Sequence, residues 1–332
     1  MKLLTNWCPD ALKDVLQRNG IVVDVVNVRR ELSELIEHGK DHDLYYFARF
    51  VPPLVDASVV RPFKPNKPVI YAFHSPLTID YPCRPSHYLY NVLIPLQAMR
   101  ISSLGTVHLL NKTDLKLARI LGVRRAVFLP LGTDTDLFRP SEKDESFTVV
   151  YASRASWNKG TDILCSIVSA LVRKIREVKI KIVSYGFLTH LYKPLARFNN
   201  VEILPYMPPS EYVKMLSRSH VLLFPSRYES YGLVVLEALA CGVIPVAFNV
   251  RGFVRDVLAR SNLFKNFVVR FQHVEDFVNA INNLYDLWLN DRKKYEYLSK
   301  MARKLSHIYS YQNLGKYWIN AFKSIVEGSK AR

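Results

Sequence analysis

Twelve short runs of Val, Ile, Leu, Phe and Tyr alternate with longer amphipathic stretches through these 332 residues, and that alternation restricts the fold more than any other feature. The expected strands are 2–6, 22–28, 44–49, 68–73, 105–110 and 126–130, then 147–152, 178–184, 201–204, 221–225, 244–248 and 267–271. Helix-length patterns lie between most of them, among them Asp10 to Arg18, Leu89 to Met99 and Asp162 to Arg176. Strands that recur one helix apart join in parallel sheets with helices on both faces, so the fold class is α/β. The series is long enough for two sheets. It is interrupted at Phe138-Arg139-Pro140 and the charged residues up to Glu145, which sets the expected domains at 1–140 and 146–312. A last helix follows within 313–332, and its apolar stripe, including Trp318, Ile319, Phe322 and Ile325, must pack on something.

Bulk properties narrow the class. A composition of 49% hydrophobic and 12% aromatic residues suits a globular protein. No apolar run approaches the roughly 20 residues needed to cross a bilayer. Met1 to Asp10 reads as a first strand rather than a leader, so the expected location is the cytoplasm. Cys8, Cys83, Cys165 and Cys241 are widely spaced, which argues against a zinc site or a disulfide framework; Cys165 and Cys241 are expected as buried thiols. The net charge of +17 falls mostly after residue 140 and suits an anionic ligand or an anionic membrane surface. Clusters such as Arg292-Lys293-Lys294 read first as solvated helix faces.

In open α/β sheets ligands bind beyond the C-terminal strand ends, and the chemistry-bearing residues gather there. After strand 221–225 comes Ser226-Arg227-Tyr228-Glu229-Ser230-Tyr231-Gly232-Leu233, then a helix carrying Glu237 and ending at Gly242. Gly232 allows backbone to approach a ligand, and the amides of the following turn form an anion site. Glu237 interrupts an apolar helix and needs a partner, either an internal cation or a ligand hydroxyl. Glu229 either caps the helix or points toward a ligand. A second block, Val149 to Arg154 followed by Asn158-Lys159-Gly160-Thr161-Asp162, ends a strand in one cation and adds another five residues on. His74 follows strand 68–73, either as an ordinary loop histidine or as a site residue.

The two glutamates of Glu229 to Glu237, with Gly232-Leu233 between them and Glu237-Ala238-Leu239-Ala240-Cys241-Gly242 after, resemble the signature of family-4 (group 1) retaining glycosyltransferases. That resemblance implies the GT-B fold, two Rossmann-like domains facing a cleft, with the terminal helix crossing back to the first. It also implies roles: Glu229 and His74 at the transferred sugar, Glu237 at the ribose, and Arg154 and Lys159 on the donor diphosphate. Ser230, Tyr231, Gly232 and Leu233 would complete the donor site. No metal ligand is implied: the two cations neutralise the leaving group, and Asp134-Thr135-Asp136 belongs to a turn closing the first half. No cofactor is expected beyond a UDP- or GDP-sugar donor. The expected partners are that donor, an acceptor of unknown identity and, at the periphery, an anionic membrane; no nucleic-acid motif is present. The sequence departs from the family at Thr5-Asn6-Trp7-Cys8-Pro9-Asp10, where a Gly-Gly loop is usual. The competing readings are a sugar-nucleotide epimerase of the same fold and a non-catalytic protein that binds nucleic acid or membrane through its positive charge.

Overall fold

A computed structural model describes residues 1–26, 41–48, 67–82 and 84–330. The ends of two expected strands (27–28 and 49) and Cys83 lie outside the described residues. The chain divides into two compact units, one of residues 1–132 with 311–332 and one of residues 133–310.

The first unit contains β1 (Lys2–Thr5), α1 (Asp10–Arg18), β2 (Val22–Val25), β3 (Leu44–Ala48), β4 (Val69–Phe73), α2 (Pro85–Ile101), β5 (Thr106–Leu109), α3 (Lys112–Ile120) and β6 (Ala126–Phe128). Its six strands are all parallel, in the order β2-β1-β3-β4-β5-β6. β3 and β4 are buried along their whole length, as expected for central strands with both faces covered. β6 stops short of the expected 130 because the Leu129 and Pro130 carbonyls turn to side chains, accepting from His108 Nε2 (2.8 Å) and Trp318 Nε1 (3.0 Å).

The second unit contains β7 (Thr148–Arg154), α4 (Thr161–Lys174), β8 (Lys179–Tyr185), β9 (Val201–Leu204), α5 (Pro209–Arg218), β10 (Val221–Phe224), α6 (Leu233–Ala240), β11 (Ile244–Phe248), α7 (Phe253–Asp256), β12 (Val268–Val269), α8 (Val274–Asn290) and α9 (Arg292–Ile308). Its sheet is also parallel, in the order β12-β11-β10-β7-β8-β9. Read from the far edge, that is the doubly wound order, whose switch point falls between β7 and β10. The charged stretch after Pro140 is held to this unit. Lys143 Nζ donates to the carbonyls of Ser217 (3.0 Å), Ser219 (2.7 Å) and Cys241 (3.1 Å), and Asp144 accepts from Lys181 and Arg218 at 2.8 Å each. Arg303 adds bonds to the Thr135, Phe138 and Ala240 carbonyls.

The last helix, α10 (Tyr311–Lys330), belongs to the first unit. Gly315 lets it approach α1 so closely that a Cβ there would overlap Val15 Cγ1. Its Trp318 and Phe322 pack on Tyr46 of β3. Of the two thiols expected to be buried, Cys241 is buried and Cys165 only half-buried. Apolar periodicity marks the inward side of α4 but not how far each neighbour covers it; Cys165 Sγ sits beside the Leu191 carbonyl, to which it donates at 2.9 Å.

Two buried histidines give the fold a pH dependence. In the first unit His108 Nε2 donates to the Leu129 carbonyl, so its Nδ1 is left to accept from the Tyr46 hydroxyl at 2.8 Å. In the second, His220 Nδ1 accepts from the Thr148 amide at 3.0 Å. Burial pushes both pKa values down from 6.5 to about 3. A histidine depressed in the folded state contributes stability that is present above its unfolded pKa and lost as pH falls through the folded value. The melting temperature is therefore expected to fall from pH 6.5 toward pH 3. His108→Gln and His220→Gln, though each less stable at pH 8, should show shallower falls. Parallel wild-type and variant profiles would remove the histidines from this account.

Candidate functional site

The site grows from the loops that follow β7 and β10, the two strands flanking the switch point. Beyond Arg154 the chain forms a tight knot. The Ser156 amide donates to Thr161 Oγ1 (2.9 Å), that hydroxyl donates back to the Ser156 carbonyl (3.1 Å), and Ser156 Oγ donates to Asn158 Oδ1 (2.5 Å). One turn of 3-10 helix, Trp157–Lys159, is enclosed by the knot and ends at Gly160, whose φ of 69° starts α4. Glycine is required there twice over: the left-handed backbone disfavours a side chain, and a Cβ would overlap the Pro225 carbonyl oxygen.

The β10 loop is bolted to this knot by a residue that the sequence did not single out as a site residue. Arg227 donates its amide to the Asn158 carbonyl (2.8 Å) and one guanidinium N–H to the Trp157 carbonyl (2.8 Å). Its fork also grips both carboxylate oxygens of Asp162 at 2.6 Å each. Bidentate pairing of a buried arginine holds geometry as well as charge. The sequence did carry a signal, since a charged residue directly after the buried Pro225-Ser226 must find a partner. With the loops fixed, Lys159 Nζ donates to Glu229 Oε1 across 70 residues of sequence. Glu229 is 9% exposed and Lys159 half-buried, so the pair is shielded without being sealed.

After Glu229, the half-buried Ser230 and the buried Tyr231 lead to Gly232, whose φ of 96° turns the chain into α6 with half-buried Leu233 at its start. The Tyr231 carbonyl accepts from the Phe253 amide at 2.7 Å, and Gly252 leaves room for it: a Cβ there would lie 2.5 Å from that oxygen. On α6, Glu237 accepts from the Tyr212 hydroxyl at 2.8 Å, so its protein partner is a phenol and not an internal cation. Burial raises the Glu237 pKa above the usual carboxylate range, and the Tyr212 bond pulls it partly back. Tyr212 in turn is pushed well above 10, first by burial and then by the neighbouring carboxylate. Arg154 stands exposed at the end of β7 and makes no side-chain hydrogen bond among the described residues. The second unit therefore brings Arg154, Lys159, Glu229, Ser230 to Leu233 and Glu237 to the C-terminal end of its sheet.

His74 belongs to the first unit, directly after β4. Its ring meets Trp7 edge-on, with centroids 4.6 Å apart. Trp7 lies in the loop where the sequence lacks glycine, and that loop is pinned. The Asn6 amide group donates to the Ala48 carbonyl (2.8 Å) and accepts from the Ala48 amide (2.7 Å), while the Trp7 amide donates to Thr5 Oγ1 (3.0 Å). Asp134 Oδ1 accepts from the amides of Asp136 (2.9 Å) and Leu137 (3.0 Å), so this acidic pair shapes a turn. No three His, Cys, Asp or Glu side chains gather as a metal site among the described residues.

Fold and site together define a doubly wound α/β protein whose polar centre lies at the switch point of its second unit. Residues 133–305 match the family described as "Glycosyl transferases group 1", and the chain belongs to that family, the retaining, GT-B-fold family 4. Among curated relatives, D-inositol 3-phosphate glycosyltransferase of Paenarthrobacter aurescens is 24% identical over 217 residues, covering 60% of this chain and 52% of the relative. The chain spans about half the length of the curated relatives it matches. Two solved structures share the fold. Sucrose-phosphate synthase of Thermosynechococcus elongatus has a TM-score of 0.77 at 16% identity, covering 98% of this chain and 99% of that one. Anabaena HepE, in complex with UDP and glucose, has a TM-score of 0.71 at 17% identity, covering 98% of this chain and all of that one (100%).

Proposed function

We propose that this protein transfers a sugar, with retention, from a nucleotide-diphosphate sugar to an acceptor hydroxyl. The observation that carries the reading is the shielded Lys159–Glu229 pair, formed by the loops that follow β7 and β10 just before α6, with Arg154 exposed at the end of β7. When the glycosidic bond of the donor breaks, negative charge develops on the leaving diphosphate. Arg154, Lys159 and the amides after Gly232 are the groups that stabilise it, by fixed hydrogen bonds and without a metal. Glu237 receives the ribose hydroxyls, and Glu229 holds the transferred sugar. The acceptor oxygen attacks on the face the leaving group vacates, and its proton passes to the departing diphosphate oxygen. UDP is the favoured nucleotide, supported by the UDP bound in the HepE structure. We take the acceptor to be a hydroxylated small molecule or lipid, a reading the relatives' names support, and the basic excess supports peripheral contact with an anionic membrane. Among the described residues no helix is long and apolar enough to cross a membrane.

The test is a thermal-shift screen with UDP, GDP and ADP and their sugar conjugates in EDTA. A nucleotide at 100 times its Kd stabilises the folded state by about 2.7 kcal/mol, a shift of several degrees. UDP is expected to give that shift and Glu237→Ala to lose most of it. Because the Glu237 pKa is raised, the shift should also shrink as pH falls through that raised value, where the carboxylate stops accepting from hydroxyls. Absence of a shift with every nucleotide would end the transferase reading and return weight to a binding protein.

A further inference from the structure

Helix α2 is apolar on both sides. Ile94, Pro95, Ala98 and Ile101 are buried against the first unit. Among the described residues the opposite face is left uncovered: Tyr88, Leu89, Val92 and Leu96 are each more than half exposed, at 62%, 59%, 56% and 55%, with Leu93 and Met99 beside them. Their spacing puts them on one stripe of the helix, and Leu104, just past its end, adds to it at 51%. A helix that is hydrophobic all round is normally covered all round, and a contiguous apolar patch of this kind marks an interaction surface.

Charge identifies the occupant. The stretch 84–128 carries seven Lys and Arg against a single acid, Asp114. That acid is buried, and its carboxylate accepts from Asn111 Nδ2 at 2.7 Å and the Leu77 amide at 3.2 Å, so it does not offset the cations outside. Arg100, Lys116, Arg119, Arg124 and Arg125 are all exposed. The Arg124 amide donates to Ser102 Oγ at 3.3 Å, which sets the α3–β6 turn and its two arginines beside the C-terminal end of α2. A second copy of the chain on this face would bring like charges together across a symmetric contact. An apolar stripe with cations at its margin instead matches a helix lying in the plane of an anionic bilayer, its apolar side in the acyl boundary and its arginines at the headgroups. We infer that the exposed face of α2, with Leu104 and the α3–β6 arginines, is the surface by which this protein docks on an anionic lipid bilayer. The inference rests on the proposal of membrane contact and specifies where that contact is made.

The test is co-sedimentation of the full chain with vesicles of phosphatidylcholine alone and of phosphatidylcholine mixed equally with phosphatidylserine. The wild type is expected to partition at least about tenfold more strongly into the mixed vesicles, less so at high salt. Leu89→Glu with Leu96→Glu should lower that partitioning by about tenfold or more. Arg124→Glu with Arg125→Glu should lower it about as much. Lys293→Glu with Lys294→Glu, exposed on α9, should leave it unchanged. Leu96→Trp gives a second readout that does not depend on the folding of the doubly charged variant: its emission should shift to the blue on mixed vesicles only. Wild-type binding that survives Leu89→Glu with Leu96→Glu, or an unshifted Leu96→Trp emission, overturns this surface and leaves membrane contact standing. No binding by the wild type overturns both, while the nucleotide thermal shift reports separately on the transferase reading. Self-association of the wild type that the double glutamate variant abolishes would assign the face to a second copy and overturn the proposal.

Discussion

Lys159→Ala is expected to lower the rate of UDP release from a UDP-sugar by about 100- to 1,000-fold, the range seen when one fixed donor to a developing anion is removed. The loss has two sources. The variant lacks the ammonium that would stabilise the leaving diphosphate, and it leaves Glu229, 9% exposed, without the cation that pairs with it. A shielded carboxylate left unpaired in that position repels the donor phosphates. The second effect can be separated from the first. Adding Glu229→Gln to Lys159→Ala should restore much of the lost nucleotide affinity while the rate stays low, because the repulsion is gone but the stabilising cation is still missing. Initial rates and nucleotide titrations on the two single variants and the double variant measure both terms as a cycle. A Lys159→Ala enzyme within tenfold of the wild-type rate would remove Lys159 from the proposed chemistry.

Gly160→Ala is expected to cost about 2–5 kcal/mol, combining a left-handed non-glycine residue at about 1–2 kcal/mol with forced backbone displacement at about 1–3 kcal/mol. A new methyl would overlap the Pro225 carbonyl oxygen, with the carbonyl carbon 2.9 Å away. Both obstacles are backbone, so no flexible side chain can swing aside. The displaced segment is the one Arg227 fastens, so the shift would also part Lys159 from Glu229. Gly232→Ala is the instructive contrast. Its φ is 96°, but the nearest atom to an added Cβ is Phe224 Cζ at 3.7 Å, so only the backbone term of about 1–2 kcal/mol applies. Urea midpoints for the two variants should therefore separate clearly, with Gly160→Ala the lower. Equal midpoints would mean that the β10 loop yields to accommodate the methyl.

Much of this architecture was legible beforehand because alternation and helix periodicity are local signals. Strands at 201–204 and 244–248 and the helix at Asp10–Arg18 appear with the bounds read from sequence. The errors are at ends, where tertiary contacts compete. The expected strand 267–271 contracts to Val268–Val269, since Phe267 closes a 3-10 turn and only Ala247 and Phe248 are there to pair with. The helix read from Leu89 begins at Pro85, whose ring suits the first helical turn. Around the site, Lys159, Glu229 and Glu237 could be named from their motifs, but Arg227, Asp162 and Tyr212 could not be paired with anything, because each partner lies 25 or more residues away.

The sequence by itself determined the parallel α/β class and family membership. It also marked the glycine at 232, since hydrophobic period and backbone permissiveness are properties of short stretches. Only the tertiary structure decided what each charged group meets. β7 and β10 lie 66 residues apart at their closest chain ends (154 to 221 exclusive) yet are neighbours in the sheet, and their neighbouring loops bring Lys159 to Glu229 and Arg227 to Asp162. Strand order follows from which helices cover which face of the whole sheet, a collective outcome of packing that no window of sequence encodes.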